Sequence, residues 1–120
     1  MRASKTQAQF QFRLRVIHAD NIAVGPGKVA LLEAIVATGS ITQAAKQLEM
    51  SYRRAWLLVD TMNRSFASPV VDTAKGGSRG GGAAVTRLGE EVIRRYRRIE
   101  ALAHRAGAKD IEAFARLLAR

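Results

Sequence analysis

Between Lys75 and Gly82 the chain runs Lys-Gly-Gly-Ser-Arg-Gly-Gly-Gly, five glycines in eight residues. No helix or packed strand forms from such a run, because glycine gives up the most backbone freedom on ordering and offers no side chain to bury. The segment is therefore a loop, and it divides the 120 residues into two parts. Its flanks suit strands: Val70-Val71-Asp72-Thr73 before it and Ala83-Ala84-Val85-Thr86 after it. The sequence thus predicts a hairpin whose tip carries two cations, Lys75 and Arg79.

Upstream, helical periodicities dominate. Pro26 sits at a favourable first-turn position, and the apolar stretch from Val29 to Ala37, broken only by Glu33, predicts a helix buried nearly all round and ended by Gly39. Ser40 then caps a segment with Ile41, Ala44, Ala45 and Leu48 at i, i+3, i+4 and i+7. A second cap, Ser51, precedes Ala55, Val59 and Met62, with Leu58 flanking. Two short serine-capped helices joined by about three residues are the outline of a helix-turn-helix. Their phase leaves Tyr52, Arg53, Trp56 and Leu57 pointing outward, although Trp56 fits burial at the stripe's edge equally well. Nearer the N-terminus, Phe10, Phe12, Leu14 and Val16 alternate with Gln11, Arg13 and Arg15, which predicts a half-buried strand, with Asp20-Asn21 and Gly25-Pro26-Gly27 as punctuation.

After the hairpin, Thr86 is a cap candidate for a long helix with the stripe Leu88, Val92, Tyr96, Ile99, Ala103 and Ala106. Glu90 with Arg94 and Glu91 with Arg95 are spaced for i,i+4 pairs, as is His104 after Glu100. Twenty residues make a rod of about 30 Å, longer than a small core requires, so part of the stripe is expected to pack on a second protomer. Gly107 interrupts it, and Ile111, Phe114, Ala115 and Leu118 predict a short amphipathic tail. The expected organisation is a flexible tail over 1–8, one domain over 9–106, and a short helix over 107–120. Its fold class is mainly α with a small antiparallel sheet.

The charge balance narrows the partner. Twenty Lys+Arg against ten Asp+Glu give +10, and residues 51–105 alone hold 11 basic and 5 acidic side chains. Fifteen of the cations are arginine, whose planar fork suits phosphates and guanine edges. The absence of cysteine excludes disulfides, cysteine-ligated zinc and thiol catalysis. His18 and His104 are too few and too far apart for a histidine-rich metal site, and His18 reads as an edge or core residue. No apolar run approaches the roughly 20 residues of a membrane span, and the first residues lack a secretory signal's apolar core, so a soluble cytoplasmic protein with no membrane partner is expected. The glycine run is no phosphate-binding P-loop: that motif continues with Lys-Ser/Thr into a helix, whereas Ala83-Ala84-Val85 follows here. Asp60 is spaced to pair with Arg64, Tyr96 is placed for packing, and no catalytic set assembles, so neither an enzyme nor a cofactor is expected.

Gly39-Ser-Ile-Thr-Gln-Ala-Ala-Lys, Ser51-Tyr-Arg-Arg-Ala-Trp-Leu-Leu-Val-Asp-Thr-Met-Asn63 and Gly76-Gly-Ser-Arg-Gly-Gly-Gly-Ala-Ala-Val-Thr-Arg-Leu-Gly89 occur in order. Together they resemble the N-terminal winged helix-turn-helix of the ModE family of molybdate-responsive transcriptional regulators, a domain related to that of LysR-type regulators. The resemblance covers roughly residues 28–100. It implies a recognition helix from Ser51, a wing over 73–83, a homodimer through the 87–106 helix, and a palindromic site in double-stranded DNA. The DNA-contacting set expected is Ser40, Thr42, Gln43, Ser51, Tyr52, Arg53, Arg54, Trp56, Lys75 and Arg79. The turn position commonly glycine in this family is Glu49 here, and a left-handed conformation there would cost on the order of 1 kcal/mol. The family's molybdate sensor is a separate C-terminal region, so molybdate binding within these 120 residues is not expected. Two other readings stand beside the regulator: a sequence-neutral nucleic-acid or nucleoid-type binder, and a winged-helix adaptor between proteins.

Overall fold

The computed structural model describes residues 8–73 and 82–119. In chain order the elements are β1 (Val16–His18), β2 (Asn21–Val24), α1 (Pro26–Thr38), α2 (Ile41–Gln47), α3 (Tyr52–Ser65), β3 (Val71–Asp72), β4 (Ala84–Val85), α4 (Arg87–Ala106) and α5 (Ala108–Ala115). The molecule measures 56 × 34 × 22 Å.

The helix-turn-helix forms where its caps predict. Ser40 Oγ accepts from the Gln43 N–H (3.1 Å) and Ser51 Oγ from the Arg54 N–H (3.0 Å), each satisfying a helix N–H that lacks an intrahelical partner. Between them α2 closes in a Schellman arrangement. The Glu49 N–H reaches the Lys46 carbonyl (3.1 Å) and the Met50 N–H the Ala45 carbonyl (3.0 Å), with Glu49 itself at φ 55°. The expected left-handed turn is present on a residue with a Cβ. Gly39, at φ 70°, ends α1 in the same region of backbone space without that strain.

The main core joins Leu31, Leu32 and Ile35 of α1 to Ile41, Ala44 and Ala45 of α2 and to Ala55, Val59 and Met62 of α3. Val70, Val71 and Ala83 close it from the hairpin stem. Alanines at the centre let α2 approach its neighbours. α1 is buried over most of its surface as expected, except at its C-terminal end, where Val36 and Ala37 face out.

β3 and β4 pair antiparallel, Val71 with Val85 and Asp72 with Ala84, as the flanks of the glycine run predict. Thr86 caps α4 through the Gly89 N–H (3.1 Å) while its hydroxyl donates to the Pro69 carbonyl (2.8 Å). Gly89 is required at this point: a Cβ there would run into the Val70 carbonyl oxygen and the Val85 side chain. The helix-turn-helix, the β3–β4 stem and the long α4 are a winged helix-turn-helix.

The N-terminal region corrects the sequence reading. Residues 10–15 form no strand; β1 begins only at Val16, and β2 was not anticipated. The alternation arises from another cause. Phe10 meets the Phe114 ring edge-on (centroids 5.9 Å), Phe12 meets His104 (4.5 Å), and the Leu14 carbonyl accepts from the Tyr96 hydroxyl (2.8 Å). One face is thus covered by α4 and α5 rather than by a sheet. Asp20-Asn21 does not end the strand region either. Ala19 (φ 51°) and Asp20 (φ 66°) form a two-residue turn with both residues left-handed, a geometry that matches strand twist, and Asn21 starts β2. The small sheet is therefore two separate two-stranded ladders.

Two predicted pairs on α4 also differ. Arg94 turns to Glu91 (3.9 Å) rather than Glu90, and His104 meets Phe12 edge-on while Glu100 takes Arg97 (2.7 Å). Glu91–Arg95 (2.8 Å) and Asp60–Arg64 (2.9 Å) form as expected. Tyr96 is buried in a second cluster with Val24 and Val29.

Candidate nucleic-acid interface

Burial of Ala55, Val59 and Met62 fixes the rotation of α3, so the opposite face must point to solvent. Tyr52 is 52% exposed and Trp56, the undecided position, is 37% exposed. Their rings meet edge-on one turn apart (centroids 6.2 Å, 76°), forming an apolar shelf on the helix surface. Beside it stand Arg53 and Arg54, both exposed, neither with a carboxylate partner among the described residues. Two unpaired guanidiniums and two exposed aromatics in the first turns of a helix offer forked donors together with apolar surface, the combination that reads base edges and thymine methyls.

The start of α2 lies beside the wing stem. The Ala83 N–H donates to the Gly39 carbonyl (3.0 Å), and Ser40 and Gly82 form an antiparallel bridge. Thr42 and Gln43 are exposed there, while Ser40 is half-buried with its hydroxyl engaged in capping. Ser51 is exposed and likewise engaged as a cap. Lys75 and Arg79 lie outside the described residues. The structure thus gathers Tyr52, Arg53, Arg54 and Trp56 on one helix face and sets the α2 start against the wing.

Elsewhere some of the positive charge is engaged. Arg97 donates to both Glu33 oxygens (2.7 and 3.0 Å) and to Glu100 (2.7 Å). These bonds push the arginine pKa up and hold the Glu33 carboxyl below its usual range, tying α4 to α1. Lys28 donates to the Ile22 carbonyl (2.5 Å), and partial burial lowers its pKa.

Sequence reasoning missed Arg97–Glu33, which spans 64 positions, and it missed the role of Asn63. Asn63 Oδ1 accepts from the Val70 (2.8 Å) and Val71 (3.1 Å) N–H groups, and Nδ2 donates to the Val71 carbonyl (3.0 Å). An asparagine in a last helical turn just before a strand-like pair is the only local hint of that contact.

No family model matches the chain. Among curated proteins it is 46% identical over 86 residues to the molybdenum-pterin-binding protein MopB of Rhodobacter capsulatus, covering 72% of this chain and 32% of that protein. It is 37% identical over 95 residues to the molybdenum transport protein ModE of Azotobacter vinelandii, covering 79% and 35%. To the DNA-binding transcriptional dual regulator ModE of Escherichia coli K12 it is 41% identical over 71 residues, covering 59% and 27%. The chain spans about a third of the length of the relatives it matches, and the likeness lies in their N-terminal part. Among solved structures it resembles a CbnR_DBD–DNA complex, with TM-score 0.56, 21% identity, and 72% of this chain and 94% of that one covered. ArgP from Mycobacterium tuberculosis gives TM-score 0.52 at 19% identity, covering 70% and 30%. These two likenesses show the winged-helix fold. No described helix is long and apolar enough to cross a membrane.

Proposed function

We propose that this chain, which carries an N-terminal winged-helix domain of the ModE type, is a sequence-specific DNA-binding transcriptional regulator. The observation that carries the reading is the exposed face of α3, where Tyr52 and Trp56 flank Arg53 and Arg54 and both guanidiniums lack carboxylate partners among the described residues. In this reading the first turns of α3 enter the major groove of double-stranded DNA. Arg53 or Arg54 forks onto a guanine edge, the aromatic pair packs on thymine methyls, and Thr42 and Gln43 contact the backbone beside them. Lys75 and Arg79 supply phosphate contacts from the wing.

A homodimer through α4 is part of the same proposal, and its seam supports it. Leu88, Val92, Arg95, Ile99, Leu102 and Ala106 follow a 4-3-4-3-4 spacing, the a/d pattern of a two-stranded coiled coil. Ile99 and Leu102 stand 50% and 42% exposed. The first turns of α4 carry Glu90 and Glu91 and its last turn His104 and Arg105. An antiparallel pair sets unlike ends together, whereas a parallel pair stacks Arg95 on its own copy. Two antiparallel protomers present their recognition helices in opposite directions, which fits a palindromic operator.

Selection from a random duplex pool with purified protein, with and without molybdate, tests the reading. A palindromic consensus is expected. In variants, Arg53→Ala or Arg54→Ala relaxes preference at one base position by about 1–3 kcal/mol, while Lys75→Ala and Arg79→Ala weaken all duplexes evenly. A pool that enriches no sequence overturns the proposal in favour of a sequence-neutral binder. Sedimentation of Leu102→Asp is expected to show monomers where the parent chain shows dimers.

A further inference from the structure

We infer that Asn63 is a positioning residue that sets where the wing stands relative to the recognition helix, and so governs DNA binding without touching DNA. The inference rests on the DNA-reading role proposed for α3 and the wing.

β3 is two residues long and, among the described residues, pairs with β4 on one side only. Its other side would present backbone N–H and C=O groups with no strand to meet them. The Asn63 amide meets them instead. It donates to the Val71 carbonyl and accepts from the Val71 N–H (3.0 and 3.1 Å), a closed pair of the kind one peptide group makes with another, and it also accepts from the Val70 N–H (2.8 Å). This needs a donor and an acceptor together in one short planar group. Asparagine has both, aspartate lacks the donor, and leucine of similar size lacks both. The side chain thus acts as a one-residue third strand, supplied by the recognition helix itself.

Position makes the contact consequential. Asn63 lies eleven residues after Tyr52, about 16 Å along the helix axis, so it is remote from the groups assigned to base edges. The segment it closes, residues 64–69, connects α3 to the wing stem. On the far side the stem is fastened to the start of α4, where the Thr86 N–H donates to the Val70 carbonyl (2.9 Å). Beyond the stem, five of the eight residues from Lys75 to Gly82 are glycine and the other three are Lys75, Ser78 and Arg79. The reach of Lys75 and Arg79 toward phosphates therefore follows from where the stem is held, and on the α3 side the amide of Asn63 holds it.

The test compares Asn63→Leu and Asn63→Asp with the parent chain by two readouts. The first is amide hydrogen exchange at Val70 and Val71, which involves no DNA: at least tenfold faster exchange is expected in Asn63→Leu. The second is the log–log salt dependence of binding to a pool-selected duplex, with and without Lys75→Ala plus Arg79→Ala. Each lost phosphate contact makes the slope shallower by about 0.9. Asn63→Leu is expected to shift it by up to two such steps, and the wing substitutions should then add little, whereas base preference at the α3 positions stays unchanged. Asn63→Asp, which keeps both accepting bonds, is expected to shift less and guards against a leucine variant that does not fold. Unchanged exchange overturns the latch whatever the protein binds. Faster exchange with an unchanged slope and fully additive wing losses overturns the positioning role and leaves Asn63 a stability residue only. A failure of the DNA-reading role appears separately, as a parent chain that enriches no sequence.

Discussion

α3 and α4 are both arginine-bearing helices, and the start of α3 differs from the middle of α4 in how its arginines are held. α3 buries one face completely at Ala55, Val59 and Met62 and leaves Arg53 and Arg54 at its start without carboxylate partners among the described residues. α4 buries only Gly89 and Tyr96, keeps part of its apolar seam in solvent, and places Arg94, Arg95 and Arg97 on carboxylates. Net charge marks no single face; the proposed interface rests on unpaired charge combined with exposed aromatics on a rigidly seated face. A helix anchored on its whole inner side presents its outer side reproducibly, whereas one with an open seam is built to be completed by another surface.

The largest expected effect probes the anchoring of α3. Met62→Ala, at a fully buried position, should lower stability by about 2–5 kcal/mol in urea unfolding, whereas Ile99→Ala should leave monomer stability nearly unchanged and weaken self-association instead. Equal losses would erase the contrast between the helices. Next is Gly89→Ala, which forces a methyl against the Val70 carbonyl and should cost about 1–3 kcal/mol. Glu49→Gly acts in the opposite direction, relieving the left-handed turn before α3, and should stabilise by about 1 kcal/mol if its backbone geometry is kept. The smallest effect concerns the tie between α4 and α1. Arg97 lowers the folded-state pKa of Glu33, so the pair's contribution is complete above the ordinary glutamate range and fades as pH falls through the lowered value. Glu33→Gln should lower stability slightly at neutral pH, where the pair is complete, and change little once the carboxylate would be protonated, so the acid limb flattens below about pH 4.5. An unchanged acid limb would mean that solvent screening cancels the pair.

Much of α3 was legible beforehand because its determinants are local. Ser40, Ser51 and Thr86 cap helices through groups three residues away, and the spacing of Ala55, Val59 and Met62 sets the outward face. The N-terminal arm was misread for the converse reason. Alternation at Phe10, Phe12 and Leu14 reports that one face is covered, and it cannot tell a neighbouring strand from α4 and α5 lying some 90 residues onward. Ala19 at a left-handed position hid the first hairpin, since alanine is not a usual turn residue and Asp20-Asn21 alone read as the end of a strand.

The sequence by itself determined the helix-turn-helix, the strand pair flanking the glycine run and the excess of arginine, since caps, periodicity and glycine content act within a few residues of chain. Only the tertiary structure decided which charges remain free. It paired Arg97 with Glu33, seated Tyr96 on Leu14, and brought the Asn63 amide to the backbone of Val70 and Val71. Hydrogen bonds of that kind depend on ångström-scale distances between segments, and those distances exist only once the core has packed.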